Sequence, residues 1–516
     1  MTTFPSKPID TMSDTISQLA DLHPENALYY THDDMGLGYL FADYCLDKAR
    51  YNLEKGCWMV YDGRVWRQDS KELQIAELAK TMTEELLSYA SQMPEGDEAS
   101  RLRGWVLSFR KHKKRETMIQ EARSVHPVTQ SSFDSDPYLF NMANGTINLK
   151  TMCFRPHSAL DMLTKITDVV YDPKATCTRF EDFVEEIMCG NDELVHYLQK
   201  CIGYGLTGIT ELECLFILYG KTTRNGKSTL TETLMKVLGD YGDTSDPDVL
   251  AAKSFKAGPG GHSEGIARLE GRRFVNMAEP PKNMVFNASL VKLATGSDSI
   301  NCRFLHQNSF VYKPQAKFFI NTNYLPNVDD PTLFTSNRLI VIPFNRHFEP
   351  EEQDRTLKNT FSSPENLPGI LNWCLEGCKA FFREGLDQPQ ACKEAFSEYR
   401  EETDRILQFC NAWLAPDSET HGSVRYTFVY DKYKDWCHSN NYSPESTRNF
   451  KAGLEKYFAV KRDQRPPDGG HPTTCVLNCR IRQFENDDPY SVPLKERRDG
   501  TDEDLGIIEF STAGIS

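Results

Sequence analysis

Three groups of residues in this chain are of types that together handle a phosphate chain. The first is Gly220–Lys221–Thr222–Thr223–Arg224–Asn225–Gly226–Lys227–Ser228–Thr229. Backbone N–H groups of such a loop, and of a helix that starts at its end, wrap phosphate oxygens. Lys227 would add a positive charge at the outer phosphates, and Ser228 would offer its hydroxyl to a divalent cation. The second is Glu279, whose carboxylate can hold that cation through water or polarise an attacking water. The third is Asn323 with Arg338: an amide that orients water or touches the terminal phosphate, and a guanidinium that reaches phosphate. Taken singly, each also fits a structural role: Glu279 a solvated strand end, Asn323 a turn residue, Arg338 a surface ion pair.

These side chains need elements to hold them. Leu215–Phe216–Ile217–Leu218–Tyr219 is an apolar run of strand length that stops at Gly220. After Ser228, the residues Leu230, Leu234, Val237 and Leu238 recur at helical spacing up to Gly239. Strand, loop, Gly–Lys–Ser, helix is the P-loop order. It makes Gly220, Thr223, Arg224, Asn225, Gly226, Lys227, Ser228 and Thr229 the candidate ATP contacts, with Ser228 and Glu279 on Mg²⁺. The spacer between Gly220 and Gly226 has five residues, Lys221 to Asn225, where the usual motif has four. Three further apolar runs, 274–278, 318–320 and 339–342, are separated by helical or irregular segments. That alternation indicates an α/β core with a mostly parallel sheet. Glu279, Asn323 and Arg338 flank these runs, and open α/β sheets place ligands at strand ends. Arg338 precedes a strand expected to be central.

The bulk composition narrows the class. The chain has 516 residues, 39% hydrophobic and 26% charged, and a net charge of −15. These are the values of a globular protein of several domains. Without a long apolar run or signal-peptide pattern, a cytoplasmic location and no membrane partner are expected. Fifteen cysteines without a C-x-x-C read as reduced thiols. Cys374/Cys378 and Cys475/Cys479 are each four apart, but no second pair accompanies them, so zinc is disfavoured. The acidic balance means that any nucleic-acid contact must be local. The densest basic run, Arg110 to Arg115, reads as a solvated helix face or, alternatively, a phosphate-contacting collar.

Beyond the P-loop, the order of motifs resembles a known family. Near the N-terminus stands Trp58–Met59–Val60–Tyr61–Asp62–Gly63–Arg64–Val65–Trp66, then Phe133–Asp134 and Asn144–Gly145–Thr146–Ile147–Asn148–Leu149. Asn225–Gly226–Lys227–Ser228–Thr229 and Glu279 are followed by Leu293–Ala294–Thr295–Gly296–Ser297–Asp298 and Arg303–Phe304. Then come Asn323–Tyr324–Leu325–Pro326, Arg338, Ile342–Pro343–Phe344, Gly369–Ile370–Leu371–Asn372–Trp373 and Glu398–Tyr399–Arg400. From about residue 37 to 482 the chain resembles the helicase portion of the phage and plasmid primase–helicases, related to the poxvirus primase–helicase, in helicase superfamily 3.

The resemblance implies an AAA+-like core and a hexameric ring driven by ATP and Mg²⁺ along single-stranded DNA. It places Lys227 and Ser228 in the Walker A motif, Glu279 in Walker B and Asn323 at the sensor position. Arg338 matches the second of two arginines, with Asn337 in place of the first. It also implies a DNA-gripping hairpin over Asn301–Lys313, with Arg303, His306 and Lys313 as candidate contacts.

The expected organisation is a mobile segment (1–36), an N-terminal associated domain (37–160), a helical collar (161–205) and the ATPase (206–385). A helical connector (386–415), a winged-helix-like domain (416–483) and an acidic disordered tail (484–516) follow. A primase domain has no room ahead of the motor, so a separate primase or origin-binding protein is an expected partner, beside single-stranded and forked DNA. The main reading is a replicative helicase of a phage, prophage or plasmid-like element. The alternative is an ATP-switched origin-binding or loading protein that does not unwind. A small-molecule P-loop kinase would leave Arg338 and the long flanking regions without a role.

Overall fold

The computed structural model describes residues 19–252, 261–303, 309–328, 330, 332–417, 422–440, 442, 444–466 and 470–482. The expected acidic tail and residues 1–18 lie outside them. The chain divides into two compact units, residues 1–396 and 397–516.

The first unit opens with α1 (Asp34–Tyr44), a meander of β1 (Ala49–Asn52), β2 (Cys57–Tyr61) and β3 (Trp66–Asp69), then α2 (Leu73–Gln92), α3 (Asp97–Ser108) and α4 (His112–Ala122). Asp62 and Gly63 form the β2–β3 turn. The Asp62 carboxylate accepts from the N–H groups of Arg64 and Val65 at 2.9 Å each, and Gly63 takes φ +95. The described part of the segment expected to be mobile packs here: Leu19 and Tyr30 are buried in the core of α1, α2 and α4. The Tyr30 hydroxyl donates to Asp43 at 2.9 Å.

A second meander, β4 (Leu139–Met142), β5 (Gly145–Asn148) and β6 (Cys153–Arg155), leads to α5 (Thr178–Ile187) and α6 (Asp192–Leu206). The central layer follows: β7 (Leu215–Tyr219), α7 (Lys227–Leu238), β8 (Gly242–Thr244), α8 (Gly261–Ala267), β9 (Phe274–Ala278), α9 (Ala288–Thr295), β10 (Ile300–Cys302), β11 (Phe310–Tyr312), β12 (Lys317–Thr322), α10 (Thr332–Thr335) and β13 (Leu339–Pro343). Then come α11 (Leu357–Phe361), α12 (Leu367–Glu384) and α13 (Gln390–Thr403), which spans the division between units.

The main sheet has five strands in the order β13-β7-β12-β9-β8, every pair parallel. The three strands expected beside β7 are present, and β8 joins them at one edge. β13 is the other edge strand rather than a central one, because only β7 pairs with it. The helices expected as a separate collar share one core with the sheet. Phe183, Leu198 and Tyr204 belong to the same buried cluster as Phe216, Phe274 and Phe319. Helices α6 and α12 cross in backbone contact. A Cβ on Gly203 would sit 2.1 Å from the Cys378 nitrogen, and one on Gly377 would sit 2.1 Å from the Gln199 carbonyl.

Two buried cations pin α6 to the sheet. The Lys317 ammonium, at the start of β12, donates to the carbonyls of Thr207, Ile209 and Gln315. The Arg273 guanidinium donates to those of Leu206 and Leu139 at 2.9 and 2.8 Å and lies over the Tyr241 ring. Positive charge at a helix C-terminus is favourable. Lys317→Met is expected to lower the thermal midpoint, at about 1–3 kcal/mol for each carbonyl left without a donor. An unchanged midpoint would mean that water replaces the ammonium there.

The second unit contains α14 (Arg405–Trp413), β14 (Leu414–Pro416), β15 (Ser423–Arg425), α15 (Tyr426–Ser439), α16 (Thr447–Leu454), β16 (Val460–Gln464), β17 (Thr473–Leu477) and β18 (Cys479–Ile481). Its helix pair, α15 and α16, is followed by the β16–β17 hairpin, in a sheet ordered β15-β17-β16, with β14 paired to β18. Phe409 and Cys410 of α14 sit in the same core as Tyr433, Phe450 and Val476. The unit therefore begins before residue 416, in what sequence pattern reads as a connector.

Candidate nucleotide site

The loop after β7 meets the demands its glycines imply. Gly226 takes φ +82 as the residue before α7, and a Cβ there would lie 2.3 Å from Ile187 Cγ2. A Cβ on Gly220 would lie 2.1 Å from Asn225 Nδ2 and 3.1 Å from Lys227 Nζ. The longer spacer is absorbed by a left-handed Arg224, φ +58, and by an internal brace, Asn225 Nδ2 to the Thr222 carbonyl at 2.7 Å. Thr223, Arg224 and Ser228 are exposed at the mouth, and Thr229 is half-buried.

Lys227 is only 6% exposed. Its ammonium donates to Asn225 Oδ1 at 3.0 Å and to Asn323 Oδ1 at 2.8 Å. Burial lowers its pKa to about 8, against a smaller upward pull from the Glu279 carboxylate. Glu279 is exposed immediately beyond β9 in a left-handed conformation, φ +48, its N–H bonded to the Asn321 carbonyl at 2.9 Å. Lys227, Asn323 and Glu279 thus collect at the C-terminal edge of the parallel sheet. The set fits a metal–nucleotide: a cation, a hydroxyl, a carboxylate, an amide and the start of a twelve-residue helix. Among the described residues no group of three metal-binding side chains stands ready, so a cation there would lean on phosphate and water.

Sequence reasoning missed a buried layer beneath this edge. Asn321 Nδ2 donates to Thr231 Oγ1 at 3.0 Å and to Asn276 Oδ1 at 2.8 Å. One amide thus ties α7, β9 and β12 together. Below it Phe216, Phe319 and Phe274 stack at 4.7 and 4.1 Å. An asparagine two before Asn323 in an apolar strand was the available signal.

A strap also escaped. Residues 344–348 run along the loop, through Phe344 N–H to the Tyr219 carbonyl (2.6 Å), His347 Nδ1 to that of Thr223 (2.8 Å) and Phe348 N–H to that of Arg224 (3.0 Å). Arg346 lies on this strap beside its own loop and pairs with Glu352.

Arg338 lies at the other end of the sheet. β13 runs parallel to β7 with Leu339 opposite Leu215, so Arg338 sits at the N-terminal edge. A five-residue strand separates it from the P-loop edge, about 16 Å at strand rise. Its guanidinium donates to Thr295 Oγ1 at 2.8 Å and to the Glu213 carbonyl, and pairs with the Glu213 carboxylate. Asn337 takes φ +54, a conformation asparagine tolerates better than arginine.

The expected hairpin forms as β10 and β11, antiparallel with Asn301 opposite Val311, and anchored by the Tyr312 hydroxyl on the Ile266 carbonyl at 2.7 Å. Arg303 and Lys313 flank it, both exposed. His306 lies outside the described residues. In the basic run 110–115, Arg110 pairs with Glu84 and Lys114 with Asp34, and His112 lies 3.3 Å from Glu116, while Lys111 and Lys113 are exposed with no carboxylate partner among the described residues. Two of its cations are thus paired at the surface, as on a solvated helix face. Cys374, Cys378, Cys475 and Cys479 are buried. Burial pushes the Cys378 and Cys479 thiols up to about 12, which keeps them protonated.

Two family models match. One, described as D5 N terminal like, covers residues 38–189, and one described as Poxvirus D5 protein-like covers 401–485. A protein of Acanthamoeba polyphaga mimivirus, named as a candidate helicase, is 26% identical over 328 residues, 60% of this chain and 34% of that protein. A similarly named protein of Frog virus 3 is 29% identical over 276 residues, 49% of this chain and 27% of that one. The chain thus spans about a third or less of these relatives' length. The apo C-terminal region of NrS-1 aligns over 83% of this chain and 96% of its own, at 11% identity and a TM-score of 0.45. No helix among the described residues is long and apolar enough to cross a membrane.

Proposed function

We propose that this chain, which belongs to the D5-like helicase family, is an ATP-dependent replicative DNA helicase of superfamily 3 that moves as a ring, a hexamer, on single-stranded DNA. The observation that carries the reading is the meeting of Lys227 and Asn323, with Glu279 adjacent, at the C-terminal edge of the sheet. The strand order β13-β7-β12-β9-β8 fits an AAA+-like core, with the sensor strand β12 between the P-loop strand and the Glu279 strand.

In this reading Lys227 leaves the two amide oxygens for the outer phosphates, and loop N–H groups take the inner ones. Asn323, released, turns to the terminal phosphate or the attacking water. Glu279 polarises that water as general base. Bound Mg²⁺, on Ser228 and through water on Glu279, would neutralise charge on the phosphate oxygens. Arg303 and Lys313, which flank the hairpin strands, together with His306 are the candidate DNA contacts. The test is displacement of a strand from forked DNA together with DNA-stimulated ATP hydrolysis. ATP-dependent assembly on duplex without displacement would instead favour a loading protein.

Glu279→Gln is expected to keep nucleotide affinity near that of the parent and to lower turnover by about 10²–10⁴, the usual worth of a general base. Hydrolysis at the parent rate would remove Glu279 from the mechanism. Lys313→Ala with His306→Ala should weaken single-strand binding and flatten its salt dependence by about one to two phosphate contacts. An unchanged slope would take the hairpin off the DNA path.

A further inference from the structure

We propose that Asn321 is a positioning residue of the phosphate site, setting Lys227 and Glu279 at their working separation. It is only 4% exposed, so it acts through the groups it holds rather than on the nucleotide. Its carbonyl accepts from the Glu279 N–H at 2.9 Å, where the chain leaves β9 with φ +48. Its Nδ2 donates to Asn276 Oδ1 at 2.8 Å, on the same strand that ends at Glu279, and to Thr231 Oγ1 at 3.0 Å. The Thr231 hydroxyl in turn donates to the Lys227 carbonyl at 3.2 Å, one turn back along α7. Two residues on from Asn321, Asn323 meets the Lys227 ammonium at 2.8 Å. The end of β12 thus holds the lysine twice, by its ammonium through Asn323 and by its carbonyl through Asn321 and Thr231. The same strand end holds the backbone of Glu279.

Packing alone accounts poorly for an asparagine here. Phe318, Phe319 and Ile320 before it are buried and apolar. Asn321 Oδ1 has no hydrogen-bond partner among the described residues, and a buried acceptor left unpaired is a net cost to the fold. Leucine would fill similar space without that cost. It would not supply a donor that reaches α7 and β9 at once. The hydrolysis proposed above gives that donor a use. A water oxygen bonds to the terminal phosphorus, its proton passes to the Glu279 carboxylate, and the bridging P–O bond breaks to release the diphosphate. Lys227 holds the phosphate while Glu279 holds the water, so their separation sets the line of attack. A misplacement of about 1 Å in such a geometry costs up to about 10² in rate.

The role rests on the nucleotide reading above, so its test includes one readout that needs no nucleotide. In the ligand-free full chain, hydrogen exchange across residues 227–231 is expected to quicken about three- to tenfold in Asn321→Leu and in Thr231→Val, the weight of one hydrogen bond. With ATP, each variant should lower kcat by about 10–100-fold while affinity for a non-hydrolysable analogue stays within about twofold. The double variant should fall no further than Asn321→Leu alone, because both changes cut one chain of bonds. Thr231→Ser, which keeps the hydroxyl, should recover most of the Thr231→Val loss, and that contrast decides the matter if Asn321→Leu folds poorly. Parental kcat in folded Asn321→Leu overturns the proposal. So do losses that multiply in the double variant, or equal losses in Thr231→Val and Thr231→Ser. A parent chain without ATP turnover sinks the nucleotide reading and the catalytic role with it, whereas unaltered exchange in both single variants sinks the tie itself.

Discussion

Lys227→Ala is expected to reduce ATP turnover by at least about 10²–10³, the loss that follows removal of one preorganised charge from a transition state. The same lysine sets a pH dependence that a structural residue would not. In the ligand-free chain its ammonium is held down to about 8 by burial. Triphosphate favours the charged form, so the bound pKa is higher than the free one. Below about pH 7 both states carry the proton and affinity is flat. Above pH 8 the free lysine is increasingly neutral, binding takes up a proton, and affinity weakens by up to about tenfold per pH unit. Calorimetry of nucleotide binding in buffers of different ionisation enthalpy reads this uptake directly. Lys227→Arg stays charged throughout and should lose the pH dependence. No proton uptake above pH 8 in the parent chain would place the lysine away from the phosphates.

Arg338→Ala is expected to lose about 10³–10⁵ in ATPase rate, the range for an arginine supplied across an interface. The side chain cannot serve its own P-loop, because it stands at the N-terminal edge of β13 while that loop leaves the C-terminal edge of β7. If it acts, it acts on a neighbouring copy. Mixing Arg338→Ala with Lys227→Ala subunits should then restore partial activity, since one junction type joins an intact loop to an intact arginine. The in-chain bonds to Glu213 and Thr295 define the competing outcome. Were the arginine only a brace, Glu213→Ala and Arg338→Ala would both lower the thermal midpoint with similar, small losses of turnover. Rings shown to be mixed would then recover nothing.

The local pattern of this chain carried a good deal. The run 215–219, the Gly–Lys–Ser and the helical spacing after it are contiguous, so strand, loop and helix could be read directly, and the structure has them as β7 and α7. The same holds for the turn at Asp62–Gly63 and the helix pair with hairpin after residue 424. Those three depend on residues a few positions apart, whose backbone preferences act without distant partners. The hairpin around Asn301–Lys313, by contrast, was implied by the family resemblance, and its two strands are present as β10 and β11. The stretch 19–36 was misleading because its apolar residues lack a period; their burial depends on α1 and α2 folding over them.

Tertiary structure decided the rest, because sheet order and side-chain meeting depend on which strands pair across long crossovers. Nothing local to 339–343 shows whether that strand is central or at an edge; pairing with β7 alone makes it an edge and puts Arg338 at the far end from the loop. Nothing local to Asn321 shows that its amide will meet Thr231, 90 residues earlier, and Asn276, 45 earlier. The strap of residues 344–348 closes on a loop more than a hundred residues before it for the same reason. The residue types of the phosphate site are thus set in short stretches of sequence. Their convergence is set by parallel pairing, which orders the strands so that the ends of β7, β9 and β12 fall along one edge.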